Sequence, residues 1–98
     1  MSIALHLSIT GRVQGVGFRA FVTAEARARG LRGWVRNRRD GTVEAVFKGE
    51  EAVVAEATET CRRGPFGARV DALYEREGDA ADFRLRRAGE VFSVLATA

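Results

Sequence analysis

LRGWVRNRRDGTVEAVF, residues 31–47, is a β-hairpin written in residue types. Trp34 and Val35 sit in one short run, and Thr42, Val43, Glu44, Ala45, Val46 and Phe47 form the returning one. Asp40-Gly41 between them is a strong turn signal, because a tight hairpin needs φ > 0 there. Gly49 breaks the returning strand. On either side of this hairpin the apolar period changes from two to helical. Toward the N-terminus, Phe18, Phe21, Val22, Glu25, Ala26 and Arg29 fall on helical spacing. Glu25 precedes Arg29 by four residues, a favourable pair, and Gly30 is a natural stop. Toward the C-terminus, Glu50 and Glu51 put negative charge where a helix N-terminus favours it. Val53, Val54, Ala57 and Cys61 then continue at helical spacing until Gly64-Pro65 ends the run.

Further out, Ile3, Leu5, Leu7 and Ile9 alternate with Ala4, His6, Ser8 and Thr10, the pattern of a half-buried strand. Arg69 to Glu77 reads as a fourth strand, with Val70, Ala72 and Tyr74 on one face. Gly78-Asp79 turns the chain, and Phe83 and Leu85 alternating with Arg84 and Arg86 predict a short last strand over 82–87. The order β-α-β-β-α-β-β, with a hairpin between two split βαβ units, predicts an α+β, ferredoxin-like two-layer sandwich. The expected sheet is antiparallel, of four to five strands, with two helices on one face. A chain of 98 residues supports one core, so a single domain over residues 1–98 is expected. The tail 89–98 shows no clear period; Val91, Phe92, Val94 and Leu95 make it too apolar for an ordinary floppy end.

Composition narrows the class. Hydrophobic residues are 46% and charged residues 30%, the balance of a globular protein, which argues against disorder. No apolar run approaches the roughly 18 residues of a membrane span. MSIALHLSITGR at the start has neither a basic n-region nor a small-residue cleavage site, so no secretory signal is expected. The single cysteine, Cys61, excludes an internal disulfide and a multi-cysteine zinc site, and a reducing, cytoplasmic setting is expected. The net charge is +3, and Lys48 is the only lysine among 16 basic residues. Arginine forks suit phosphate and carboxylate, although most of these arginines are expected on a solvated face.

Chemistry concentrates in two places. Gly11-Arg12-Val13-Gln14-Gly15-Val16-Gly17 has three glycines in seven residues, between a strand and a helix. Backbone N–H groups in such a loop can converge on an anion, with the positive helix end behind them; such turns also use glycine for geometry alone. The loop lacks the Gly-Lys-Ser/Thr of a nucleotide P-loop, and Ala20 stands where the dinucleotide fingerprint has glycine. Arg19 follows in the first helical turn, where a cation opposes the helix dipole. A dianion in the loop would remove that conflict, whereas a solvent-directed arginine would simply bear it. Asn37 ends the first hairpin strand; an amide can orient a water without exchanging protons, and is also a common turn former. Thr42 is a supporting residue for Asn37 or only a strand residue, and Trp34 reads as core. His6 is the only histidine, mid-strand with no nucleophile beside it in the pattern, and Cys61 falls on an apolar position. No His, Asp and Glu spacing suggests a metal site. Any chemistry therefore runs on backbone donors, an arginine and an amide.

Gly11-Arg12-Val13-Gln14-Gly15-Val16-Gly17-Phe18-Arg19 resembles the signature of the acylphosphatases. So does Gly33-Trp34-Val35-Arg36-Asn37 followed by Asp40-Gly41-Thr42-Val43-Glu44, in the family's order and separation. Gly64-Pro65 and Ala68-Arg69-Val70 also resemble the family, and the likeness spans about residues 5 to 87. The resemblance implies the ferredoxin-like fold and hydrolysis of the carboxyl–phosphate bond of acyl phosphates, with no metal or organic cofactor. It implies that Arg19 binds phosphate and that Asn37 positions the attacking water. The backbone of Gln14, Gly15, Val16, Gly17 and Phe18, with the N–H of Arg19, would form the phosphate cradle. The expected partners are a small acyl phosphate and inorganic phosphate as product; neither nucleic acid nor membrane is expected, and the chain is expected to be a monomer. Members of the family commonly end soon after the last strand, and sometimes use the C-terminus to hold the arginine. Here the chain runs on to Ala98, so the tail could add an edge strand, cover the sheet or contact a partner. The competing readings are a non-catalytic phosphate-sensing module and an RNA-binding ferredoxin-like module, which would need exposed aromatics on the open sheet face. A fragment of a hydrogenase maturation protein is a further alternative, but this chain lacks that protein's other domains and cysteine-rich zinc motifs.

Overall fold

In β1 (Ser2–Arg12), Leu7 and Ile9 are fully buried and His6 lies on the opposite face, so the strand's alternation sets the two layers. The computed structural model describes residues 1–98. The chain continues through α1 (Phe18–Ala28), β2 (Arg32–Asn37), β3 (Val43–Glu50), α2 (Glu51–Arg63), β4 (Arg69–Glu77), α3 (Ala80–Phe83) and β5 (Phe92–Val94). The strand order is β4-β1-β3-β2-β5. The first four strands pair antiparallel in the ferredoxin-like arrangement that the hairpin predicts. Phe18, Val22 and Ala26 of α1 and Val54, Ala57 and Cys61 of α2 pack with Leu7, Ile9, Val35, Val43, Ala45 and Phe47 of the sheet in one core. Both helices therefore lie on one face. At the hairpin tip, Thr42 N–H and Oγ1–H both donate to Asp40 Oδ1, at 3.0 and 2.7 Å, and close the turn.

The C-terminal quarter differs from the expectation. Residues 82–87 are not a strand. Asp79 Oδ1 accepts from Asp82 N–H at 2.8 Å and Asp82 Oδ2 from Asp79 N–H at 3.0 Å, a capping box that starts the short α3. The alternation of Phe83 and Leu85 misleads because Leu85 stays 44% exposed. The last strand lies in the tail instead, as β5, and it pairs parallel with β2, so the sheet is mixed and not wholly antiparallel. β4 and β5 occupy opposite edges, so the chain between them must cross the sheet's second face. Trp34 is fully buried on that face, and its Nε1–H donates to the Asp82 carbonyl at 2.7 Å. Lys48 Nζ lies 4.5 Å from the centre of the Phe83 ring. This connection, with its α3, forms a third layer beside the sheet and the α1–α2 layer, one that the alternation of residues 83–86 concealed. No helix is long and apolar enough to cross a membrane.

Glu44 anchors the same face. Its Oε1 accepts from Arg36 Nε–H at 2.6 Å and from Arg38 at 3.0 Å, and its Oε2 accepts from His6 Nε2–H at 2.7 Å. Burial pushes the Glu44 carboxyl up, but these hydrogen bonds outweigh it and leave the group below its ordinary value. Glu44→Ala leaves the largely buried His6 and Arg36 without their partner and is expected to cost about 3 kcal/mol at pH 7. The folded carboxyl holds its proton less tightly than the unfolded one, whose value is 4.5. Glu44's contribution is thus complete above that pH and is lost as acid titrates the folded group. Urea midpoints of both proteins at pH 7 and in acid should show the gap between them narrowing as pH falls.

Candidate active site

β1 delivers the chain to a loop whose glycines the backbone requires. Gly15 has φ 73° and Gly17 φ 81°, left-handed values that a side chain disfavours, though a Cβ at either would meet nothing within 4 Å. Gly17 is also the N-cap of α1 and, lacking a side chain, caps none of its amides. Ser, Thr, Asp or Asn at that position would ordinarily satisfy one of them. None of the backbone N–H groups from Gln14 to Ala20 donates to a protein acceptor. The loop therefore presents a row of open donors at the positive end of a helix.

Arg19 projects from the first turn of α1 and is half-buried. Arg29, Arg36, Arg38, Arg62, Arg69, Arg76 and Arg87 each meet a carboxylate; Arg19 meets none. Asn37 reaches the same place by strand alternation. Gly33, Val35 and Asn37 face the helices, while Trp34 and Arg36 face away. Asn37 Oδ1 is enclosed and has no hydrogen-bond donor. An amide oxygen in that state costs about 1–3 kcal/mol unless something donates to it.

The end of β2 is held from three directions. Arg38 N–H donates to the Thr42 carbonyl at 2.8 Å. Gln14 Nε2 donates to the Arg38 and Thr42 carbonyls at 2.7 and 2.9 Å, which ties the glycine loop to the hairpin. Ala98 N–H donates to the Asn37 carbonyl at 3.1 Å, and Arg39 N–H to the Ala98 carbonyl at 2.8 Å.

A cavity of about 380 Å³ gathers Gln14, Gly15, Gly17, Phe18, Arg19 and Asn37, with Val13, Ala20 and Val94 completing the lining. Two expected residues stand back from it. Val16 packs against the core, and Thr42 acts through the hairpin turn. Gln14 also serves the hairpin with its side chain, leaving its backbone N–H toward the loop. Phe18 is buried and stacks edge-on against Phe21, so it too offers the cavity mainly backbone. Val94 had no signal in the sequence, because its place depends on how the tail pairs. The contacts of Ala98 with Asn37 and Arg39 depend on the same pairing. No carboxylate lines the cavity. A cation, open N–H donors and one unsatisfied amide oxygen are the chemistry that suits an anion with a hydrogen-bond donor such as water beside it.

The remaining reactive side chains lie elsewhere. His6 is on the far face of the sheet, bound to Glu44. Cys61 is fully buried between α2 and the sheet, and burial pushes its thiol up to about 12, which keeps it protonated and unreactive.

A family model described as Acylphosphatase matches residues 5–86. Among curated proteins, an acylphosphatase of Bradyrhizobium diazoefficiens is 55% identical over 93 residues, covering 95% of this chain and 94% of that one. An acylphosphatase of Rhodopseudomonas palustris is 53% identical over 96 residues, covering 98% and 97%. The crystal structure of acylphosphatase from Bacillus subtilis superposes with a TM-score of 0.82 at 35% identity, covering 97% of this chain and 99% of that one. With the glycine loop, Arg19 and Asn37 gathered at one cavity in a fold shared along nearly the whole length of these relatives, the chain belongs to the acylphosphatase family, hydrolases acting on acid anhydrides.

Proposed function

We propose that this chain hydrolyses the carboxyl–phosphate bond of acyl phosphates to a carboxylate and inorganic phosphate, using only its own residues. One observation carries the reading: open backbone N–H groups, an unpaired arginine and an unsatisfied amide oxygen share a single cavity that contains no carboxylate. The phosphate lies in the Gln14–Phe18 loop, bound by backbone N–H groups including that of Arg19 and by the Arg19 fork. These donors meet the charge that redistributes over the phosphoryl oxygens in the transition state. Each charge-assisted hydrogen bond contributes about 1.5–3 kcal/mol.

Asn37 Oδ1 accepts from the attacking water and holds it in line with the bond that breaks, a contribution of orientation. Water oxygen bonds to phosphorus, the phosphorus–oxygen bond to the acyl group breaks, and the carboxylate leaves with that electron pair. A carboxylate is a weak base, so no general acid is needed to protonate it. The water proton passes to a phosphate oxygen of the substrate, which accounts for a site without histidine or carboxylate. Thr42 supports Asn37 by closing the turn behind it.

The RNA-binding alternative needs stacking aromatics on a bare sheet face. Here the connection from Gly78 to Val91 covers the β2–β3 part of that face and buries Trp34 fully, which leaves Tyr74 as a lone exposed aromatic with no partner to complete a stacking pair. The phosphate-sensing alternative leaves the enclosed Asn37 oxygen without a role. The test is hydrolysis of benzoyl phosphate, followed by ultraviolet absorbance, with a chelator present throughout. Turnover that survives chelation is expected. Loss of turnover on chelation would overturn the cofactor-free reading, and a folded protein that binds phosphate without turnover would favour the sensing module. A monomer working in the cytoplasm on a small substrate is part of the same reading, and sedimentation at micromolar concentration tests the monomer.

A further inference from the structure

All the residues around the cavity come from Val13–Ala20 or are Asn37, except one, Val94. It is the contribution of the C-terminal tail. We propose that Val94 is the wall against which the acyl group lies, and that it makes the enzyme prefer acyl phosphates with large apolar acyl groups. This rests on the functional reading above.

The phosphate end of every acyl phosphate is the same, and the loop amides and Arg19 recognise it. Discrimination among substrates must therefore come from what faces the carbon side. Val13 and Phe18 are each only 1% exposed and offer that side almost no surface. Ala20 is exposed but ends in one methyl group. Val94 is 39% exposed and branched, and so presents more apolar side chain to the cavity than Val13, Phe18 or Ala20 does.

Its position is well held. Val94 pairs with Val35 across the parallel β2–β5 ladder, and Leu95 N–H donates to the Val35 carbonyl at 2.9 Å. Arg87 donates to the Val94 carbonyl at 2.8 Å. The tail then follows β2 as far as Asn37, where Ala98 N–H meets the Asn37 carbonyl. The wall and the water-positioning amide are therefore set by the same pair of strands.

The test uses the full chain and two substrates that share a phosphate, benzoyl phosphate and acetyl phosphate. Val94→Ala is expected to lower kcat/KM for benzoyl phosphate about 5–10-fold and for acetyl phosphate less than about twofold, a small effect by closed-pocket standards because the site is open on one side. Inhibition by inorganic phosphate should be unchanged, and Val94→Leu should keep the benzoyl preference. Equal losses for both substrates, an unchanged ratio, or weakened phosphate inhibition would each overturn the wall. Calorimetric binding of benzoylphosphonate and acetylphosphonate, which cannot be hydrolysed, separates this proposal from the catalytic one. Val94→Ala should weaken only the benzoyl analogue even if the wild type proved unable to turn over, and equal weakening would overturn the proposal on its own. Unchanged thermal midpoints in both variants keep the comparison free of folding effects.

Discussion

Arg19→Ala is expected to lower kcat/KM for benzoyl phosphate by about 10²–10³-fold or more, and to weaken inhibition by inorganic phosphate, in a protein at least as stable as the wild type. The loss follows from removing the one charged donor at the cavity, where an oxyanion partner has an effect of that size. The stability half of the expectation comes from the helix. Arg19 stands in the first turn of α1, against the dipole, and has no carboxylate to compensate it. Alanine there removes an unfavourable charge and is a better helix former, so a gain of about 0.3–1 kcal/mol is expected. A positive charge that costs stability and meets no protein partner is intelligible if its partner is a ligand. Arg19→Lys should fail nearly as badly, because an ammonium cannot make the forked contact. Steady-state kinetics and urea unfolding on the same preparations check all three points. A destabilised Arg19→Ala with near-normal turnover would make Arg19 a structural residue.

Asn37→Ala divides binding from chemistry. Its kcat should fall by about 10²-fold, the scale of losing one well-placed orienting contact. The inhibition constant for inorganic phosphate should stay within about twofold, because the loop amides and Arg19, the proposed anion cradle, are untouched. The fold should tolerate the change. The Asn37 carbonyl still accepts from Ala98, and the side-chain oxygen being removed is enclosed without a donor, so no hydrogen bond within the protein is lost. Competition assays with phosphate, run beside the turnover measurements, decide the matter. If phosphate affinity falls together with kcat, Asn37 belongs to the anion cradle and the water must be held by another group.

The two variants also weigh what was legible in the residues. The hairpin around Asp40-Gly41, the stops at Gly30 and Gly64-Pro65, and the alternation of Ile3 to Ile9 are short-range signals. Turn dihedrals and side-chain period produce them locally, and the β1-to-β4 topology follows. Arg19 and Asn37 were legible for a related reason. One begins the helix after the glycine loop and the other ends the strand before the turn, so local structure nearly decides where each side chain goes. Gln14 was only half legible: its place in the loop follows from sequence, but its side chain bridges to Arg38 and Thr42 across the fold.

The alternation from Phe83 to Arg86 suggested a strand because a period of two says nothing about whether a partner strand lies alongside. An Asp79–Asp82 capping box and burial of Trp34 beneath Asp82 won instead. The amino-acid sequence by itself determined the split βαβ frame, the open N–H loop and the residues that meet there, since each depends on dihedrals and periodicity within a few residues. Only the tertiary structure decided that the tail crosses to the far edge, pairs parallel with β2 and brings Val94 and Ala98 to the site. Strand pairing between residues about 60 apart is a choice among competing edges, made by the whole sheet's packing.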